Sequence, residues 1–148
     1  MIEGKPIRIL LVEDDAAHAE IARRNLEAFR VANQLHHLGD GQQALDYLTH
    51  TGAYAAPAEA PRPDLILLDL RLPKVDGIEV LDRLKRDEAL RAIPVIVLTT
   101  SDAERDITAA YQHGAVSYLT KPVEFSKFVE LMEAFGFYWL VWNRFPAN

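Results

Sequence analysis

Leu65-Ile66-Leu67-Leu68-Asp69-Leu70-Arg71-Leu72-Pro73-Lys74-Val75-Asp76-Gly77 is the stretch on which the fold turns. Leu65 to Leu68 are four apolar residues in succession, the pattern of a strand buried on both faces, and Asp69 stands where that strand has to emerge. Pro73 and the Asp76-Gly77 pair then bend the chain away before it can pair back as a hairpin. A buried strand that delivers one carboxylate to a sheet edge is what this stretch specifies.

Working outward, the same unit recurs. Ile7 to Val12 is an apolar run that ends in Glu13-Asp14-Asp15, and Pro94 to Thr100 is another that ends in hydroxyls. Gln34 to Leu38 and Val116 to Leu119 are weaker strands, and an extended Gln34–Leu38 puts His36 and His37 on opposite sides. Between them lie helical periods. Ala17, Ile21, Ala22, Leu26 and Phe29 predict an amphipathic helix over 16–30 with Asp15 as its cap. Capping-box spacing opens helices at Asp40-Gly41-Gln42-Gln43, Asp76-Gly77-Ile78-Glu79 and Ser101-Asp102-Ala103-Glu104. His113-Gly114 closes the third of these, and a last helix starts near Val123. Thr51 to Pro63, with three prolines and no amphipathic period, reads as an extended surface loop.

Five strands alternating with five helices imply a doubly wound α/β domain, a five-stranded parallel sheet covered on both faces. In such sheets functional groups gather at the carboxyl ends of the strands. Those ends carry Glu13, Asp14, Asp15, Asp69, Thr99, Thr100 and Lys121. Clustered carboxylates repel unless a cation sits among them, and oxygen-only ligands favour Mg2+. Such a site also suits a phosphoryl group, with Lys121 as a second positive charge and a threonine hydroxyl as hydrogen-bond donor. Asp69, already ionised, can attack phosphorus without a general base and form an acyl phosphate.

Composition narrows the classes. A chain of 148 residues, 49% hydrophobic, suits one compact domain. A formal charge of −6 with no Lys/Arg run disfavours general binding to nucleic acid or to an anionic membrane. Zero cysteines exclude disulfides and thiolate chemistry and suit a cytoplasmic protein. Residues 1–6 do not read as a signal peptide, and no apolar run reaches the roughly 18 residues of a membrane span.

The acidic cluster after Val12, Asp69 with Leu72-Pro73 and Asp76-Gly77, Thr99, Tyr118 and Lys121-Pro122 together resemble the receiver domains of two-component response regulators. The resemblance covers about Ile7 to Met132, and the intervals from Asp69 to Thr99 and from Thr99 to Lys121 are those of that family. It implies a flavodoxin-like receiver fold with strand order 2-1-3-4-5. It implies Asp69 as phosphoacceptor from a sensor histidine kinase, in a protein that assists its own phosphorylation and dephosphorylation without being an enzyme in the usual sense. Asp14 is then the direct Mg2+ ligand and Glu13 its water-mediated companion, with Asp69 and the carbonyl of Arg71 completing the set. Lys121 pairs with phosphoryl oxygens, Thr99 is the switch hydroxyl, and Tyr118 is the aromatic that rotates with it.

Plainer readings stand beside these. Asp69 alone could be a turn aspartate, Tyr118 an ordinary strand aromatic, and Asp15 a helix cap. His18, His36, His37, His50 and His113 have no ligand spacing, and packing explains them more cheaply than metal. An aspartyl phosphatase expects a second acid two residues after the nucleophile, where Arg71 stands. A flavodoxin-like cofactor binder needs Gly, Ser or Thr where this chain has acids. A scaffold that accepts no phosphate would not need the acid, hydroxyl and amine set. A phosphate sink or relay intermediate shares the site with the leading reading.

The sequence departs from a minimal receiver at its end. Residues 1–134 read as the receiver, and 135–148 as an aromatic extension that holds six of the thirteen aromatic residues. Phe125, Phe128, Met132, Phe135, Trp139 and Trp142 step by three and four, a heptad-like seam, while Phe137, Tyr138, Leu140 and Val141 lie off it. A helix there is apolar on more than one face, and an extended segment could add to a sheet edge. A tail folded back on its own domain is one outcome; a homodimer through the extension is the preferred one. With the long 51–63 loop, this tail resembles the response regulators paired with bacterial and cyanobacterial phytochromes, which implies a phytochrome kinase as partner.

Overall fold

The computed structural model describes residues 7–28, 33–100, 104–115, 117–121, 126, 127 and 130. Five strands, β1 (Ile7–Val12), β2 (Asn33–Leu38), β3 (Leu65–Asp69), β4 (Val95–Thr99) and β5 (Ser117–Thr120), form one sheet in the order β2-β1-β3-β4-β5. All four pairings are parallel. The expected doubly wound class and strand order are therefore the observed ones. Helices α1 (Ala16–Ala28), α2 (Gly41–Thr49), α3 (Gly77–Arg86) and α4 (Glu104–Gln112) connect the strands. Of the last helix, residues 126, 127 and 130 alone are described, and residues 135–148 lie outside the described residues, as do 101–103 of the third capping box. Among the described residues no helix is long and apolar enough to cross a membrane.

Successive strand side chains alternate between the two faces, and the core divides accordingly. Leu10, Val12, Ile66, Leu68, Val95 and Val97 pack with Leu45 and Leu48 of α2, Val80, Leu81 and Leu84 of α3, and Ala110 of α4. Ile9, Leu11, Leu65, Leu67, Ile96 and Leu98 pack on the other face with Ala19 and Leu26 of α1. Leu65 to Leu68 are buried on both faces, which is why that run is uninterrupted by polar residues.

Four expectations need correction. In α1 the inward stripe is Ala19, Ala22 and Leu26, whereas Ala17 is exposed and Ile21 is 44% exposed. The Asp15 cap sets the helix start, and the stripe follows from that phase. At Asp76 the backbone caps α3, with its carbonyl accepting from Val80 N–H at 3.0 Å, but its side chain makes no capping bond. Asp40 does cap α2 by its side chain, accepting from Gln43 N–H at 2.8 Å, and Gln43 Oε1 reaches back to Gly39 N–H rather than to Asp40.

Residues 51–63 are not an extended loop. They form two 3-10 turns, Gly52–Tyr54 and Pro57–Glu59, and Ala60 is buried against the core. Tyr47 Oη donates to Pro61 O at 3.1 Å, and His50 Nε2 donates to Ala60 O at 2.9 Å. Tyr54 stacks edge-on to Tyr47 at 5.1 Å, and the His36 ring lies 4.8 Å from Tyr47. Prolines remove donors and aromatic neighbours satisfy the remaining carbonyls, so the segment docks although it has no helical or strand period.

Candidate functional site

β1 and β3 end side by side at the centre of the sheet, and the residues just past them meet. Glu13 follows β1 with its N–H bonded to Leu38 O at 2.9 Å and its carbonyl accepting from His37 Nε2 at 2.7 Å. Those two bonds fix its backbone, and its side chain is 2% exposed. Asp69 closes β3 and is 5% exposed. Its Oδ1 accepts from Arg71 N–H at 3.1 Å and its Oδ2 from Lys121 Nζ at 3.0 Å.

The bend that aims Asp69 depends on close backbone approach. A Cβ on Gly77 would stand 2.4 Å from Asp69 O and 2.6 Å from Leu70 Cα. On the other side of the loop a Cβ on Gly41 would stand 1.9 Å from Val75 O. The segment after Asp69 is thus held between two glycines that lead α2 and α3, with Gly77 N–H bonded to Leu70 O at 3.0 Å and Gly41 N–H to Pro73 O at 3.3 Å.

Glu13, Asp14 and Asp69 each offer a carboxylate oxygen within 4.8 Å of the others, with Asp14 on the exposed side. A donor set of oxygens alone, open to water on one side, fits a hard divalent cation that keeps part of its hydration. Lys121, just past β5, reaches into the cluster and donates to Glu13 Oε1 at 2.5 Å as well as to Asp69. Burial pushes the Glu13 carboxyl above its ordinary range, opposed by the hydrogen bonds from Lys121 and from the Asp15 N–H. Burial alone would lower Lys121, but the hydrogen bonds and negative charges of Glu13 and Asp69 outweigh it and raise the amine. The Lys121 amine favours the charged form of Glu13, while burial and the neighbouring Asp69 oppose it.

Asp15 is a cap, as its position suggests: its Oδ1 accepts from Ala17 N–H at 2.8 Å and His18 N–H at 3.1 Å, which lowers its pKa. Thr99 is the last residue of β4 and its backbone registers with Thr120, next to Lys121; its side chain lies outside the described residues. Tyr118 is half-buried in β5, with its ring edge-to-face with Tyr111 of α4 at 6.2 Å. One residue of the site was missed in the sequence. His18 Nδ1 lies 3.0 Å from Lys121 Nζ. Its place in the first turn after the acidic cluster was the available signal, but without the fold nothing distinguished it from four other scattered histidines.

A family model for the response regulator receiver domain matches residues 9–133. The chain is 48% identical over 143 residues to the probable methanogenesis regulatory protein FilR2 of Methanothrix harundinacea, covering 96% of this chain and 89% of that protein. It is 39% identical to the response regulator Rcp1 of Synechocystis sp. strain PCC 6803, over 96% of this chain and 95% of Rcp1. The crystal structure of Rcp1 in its Mn2+-bound form superposes with a TM-score of 0.75 at 40% identity, covering 91% of this chain and 95% of that one. The bacteriophytochrome response regulator AtBRR gives 0.79 at 42% identity, covering 91% and 96%.

Proposed function

We propose, starting from the fact that this chain belongs to the response regulator receiver domain family, that Asp69 is its phosphoacceptor. Phosphoryl acceptance on an aspartate is the function of a receiver domain, and the observation that selects Asp69 is its environment. It is the acid at the end of the central strand whose two oxygens meet, respectively, a backbone N–H and the Lys121 ammonium, within a three-carboxylate cluster.

An ionised oxygen of Asp69 forms the bond to phosphorus as the P–N bond to a kinase histidine breaks, and the imidazole leaves with that electron pair and takes up a proton. Mg2+ held by Asp14 and Asp69, by Glu13 through water and by the Arg71 carbonyl would supply neutralisation of the transferring oxygens. Lys121, bonded to Glu13 and Asp69, turns its ammonium to the phosphoryl group once Asp69 carries it as an acyl phosphate. Thr99 and Tyr118 carry the change to the surface of α4 and β5. The chain assists its own phosphorylation and dephosphorylation, and it signals through protein contacts in the cytoplasm.

Its phosphodonor in this reading is a phytochrome histidine kinase, supported by the identity to the bacteriophytochrome response regulator AtBRR over nearly its full length. The higher identity to FilR2 favours a second reading, a kinase of another sensory class. Residues 135–148, which lie outside the described residues, form a homodimer arm on the strength of their aromatic content.

With Mg2+ and acetyl phosphate, wild type is expected to gain one acid-labile phosphoryl group by mass spectrometry and Asp69→Asn none; an equally modified Asn variant refutes the site. Phosphotransfer from a phytochrome kinase should exceed that from an unrelated kinase, and equal rates would remove the pairing. Truncation after Ala134 should convert a dimer to a monomer by light scattering; a monomeric full-length chain ends the arm proposal.

A further inference from the structure

An ammonium has three N–H donors and no acceptor, and each of the three donors of Lys121 has a partner. They are Glu13 Oε1 at 2.5 Å, Asp69 Oδ2 at 3.0 Å and His18 Nδ1 at 3.0 Å. Because Lys121 can only donate, Nδ1 of His18 carries a lone pair, and the neutral ring keeps its hydrogen on Nε2. The imidazole is half-buried on the first turn of α1, whose start is set by the Asp15 cap. Its other charged neighbours, Glu13 Oε2 and Asp15 Oδ2, are both 3.9 Å from Nδ1.

The three partners differ in what a cation does to them. Glu13 and Asp69 belong to the carboxylate cluster, so a divalent ion bound there competes for the same oxygens and repels the ammonium. His18 is outside the cluster. Its neutral nitrogen loses nothing to the ion, and among the described residues it is the one partner of Lys121 with that property.

We propose that His18 is a positioning residue for phosphoryl recognition: its Nδ1 keeps the Lys121 ammonium beside Asp69 when the carboxylates are engaged by the cation. The amine then meets the arriving phosphoryl oxygens already oriented, without first being recovered from solvent. This rests on the roles proposed above for Asp69 and Lys121.

The test uses the full chain with Mg2+ and beryllofluoride, a phosphoryl mimic, titrated by calorimetry. His18→Phe keeps a planar ring without an acceptor and should weaken beryllofluoride on the order of tenfold, the worth of a hydrogen bond to a charged group. His18→Asn places an oxygen acceptor near the position of Nδ1 and should recover most of that loss. In wild type, ring nitrogen NMR of the Mg2+-beryllofluoride complex should show His18 neutral, with Nδ1 unprotonated and Nε2 carrying hydrogen. Equal binding by wild type and His18→Phe, or a protonated Nδ1, overturns the proposal. Should His18→Phe fail to fold, the wild-type ring spectrum decides by itself. Wild type that binds no beryllofluoride at all overturns the Asp69 reading, a result distinct from equal binding by the two proteins.

Discussion

The two ends of the sheet are built on different physics. At the carboxyl end, Glu13 and Asp69 are buried with their charges and share one ammonium, Lys121. At the amino end, residues 51–63 pack against α2 through neutral partners: two carbonyls satisfied by Tyr47 and His50, a buried Ala60, and a ring cluster of His36, Tyr47 and Tyr54. One end stores electrostatic energy that a ligand can release. The other only holds the chain in place, and losing a contact there costs what an ordinary hydrogen bond costs.

Lys121→Met is the severest way to break that contrast, because it leaves two buried carboxylates without their cation. It should destabilise the Mg2+-free chain by about 3–5 kcal/mol in urea unfolding, with Mg2+ restoring much of the loss. A loss under about 1 kcal/mol would mean the amine behaves as a surface charge. Next in size is Gly77→Ala. The added Cβ cannot stand 2.4 Å from Asp69 O, so the loop must shift, at about 1–3 kcal/mol, and Mg2+ affinity should fall with it. Unchanged affinity would separate the bend from the site.

Glu13→Gln sharpens the comparison through pH. The folded pKa of Glu13 is raised above 4.5, so the native state holds this proton to higher pH than the unfolded chain. Its contribution to stability is therefore greatest below 4.5 and declines as pH rises through the folded value. The wild-type minus Gln-variant difference in Mg2+-free unfolding should fall with pH across that window, by no more than about 1.4 kcal/mol per pH unit. A difference that rises with pH would reverse the assigned cause. Smallest is Tyr47→Phe at the amino end, about 0.5–1.5 kcal/mol, with beryllofluoride binding unaltered. A changed affinity there would show that the two ends are coupled.

How each end fared in the sequence follows from the same difference. β1, β3 and β4 were legible because burial on both faces demands uninterrupted apolar runs, and the acids at their ends stood out against them. The site residues Glu13, Asp14, Asp69 and Lys121 could be picked out because topology alone brings strand ends together in a parallel sheet. His18 was passed over, since a helix residue enters the site only through the phase of α1, and that phase was misjudged by the outward Ile21. The docking of 51–63, against the expectation of an extended surface loop, is not legible because scattered carbonyls and rings leave no period in a sequence.

Chain order and residue type sufficed for the alternation of strands and helices, the doubly wound class and the gathering of acids and an amine at one edge. Those are local properties: runs, periods and the residue that follows each run. Folding decided which partners those groups keep, with Lys121 divided among Glu13, Asp69 and His18, and Asp15 withdrawn to cap α1. Such choices are set by helix phase and by backbone approach within a few ångströms, and neither quantity is written in the order of residues along the chain.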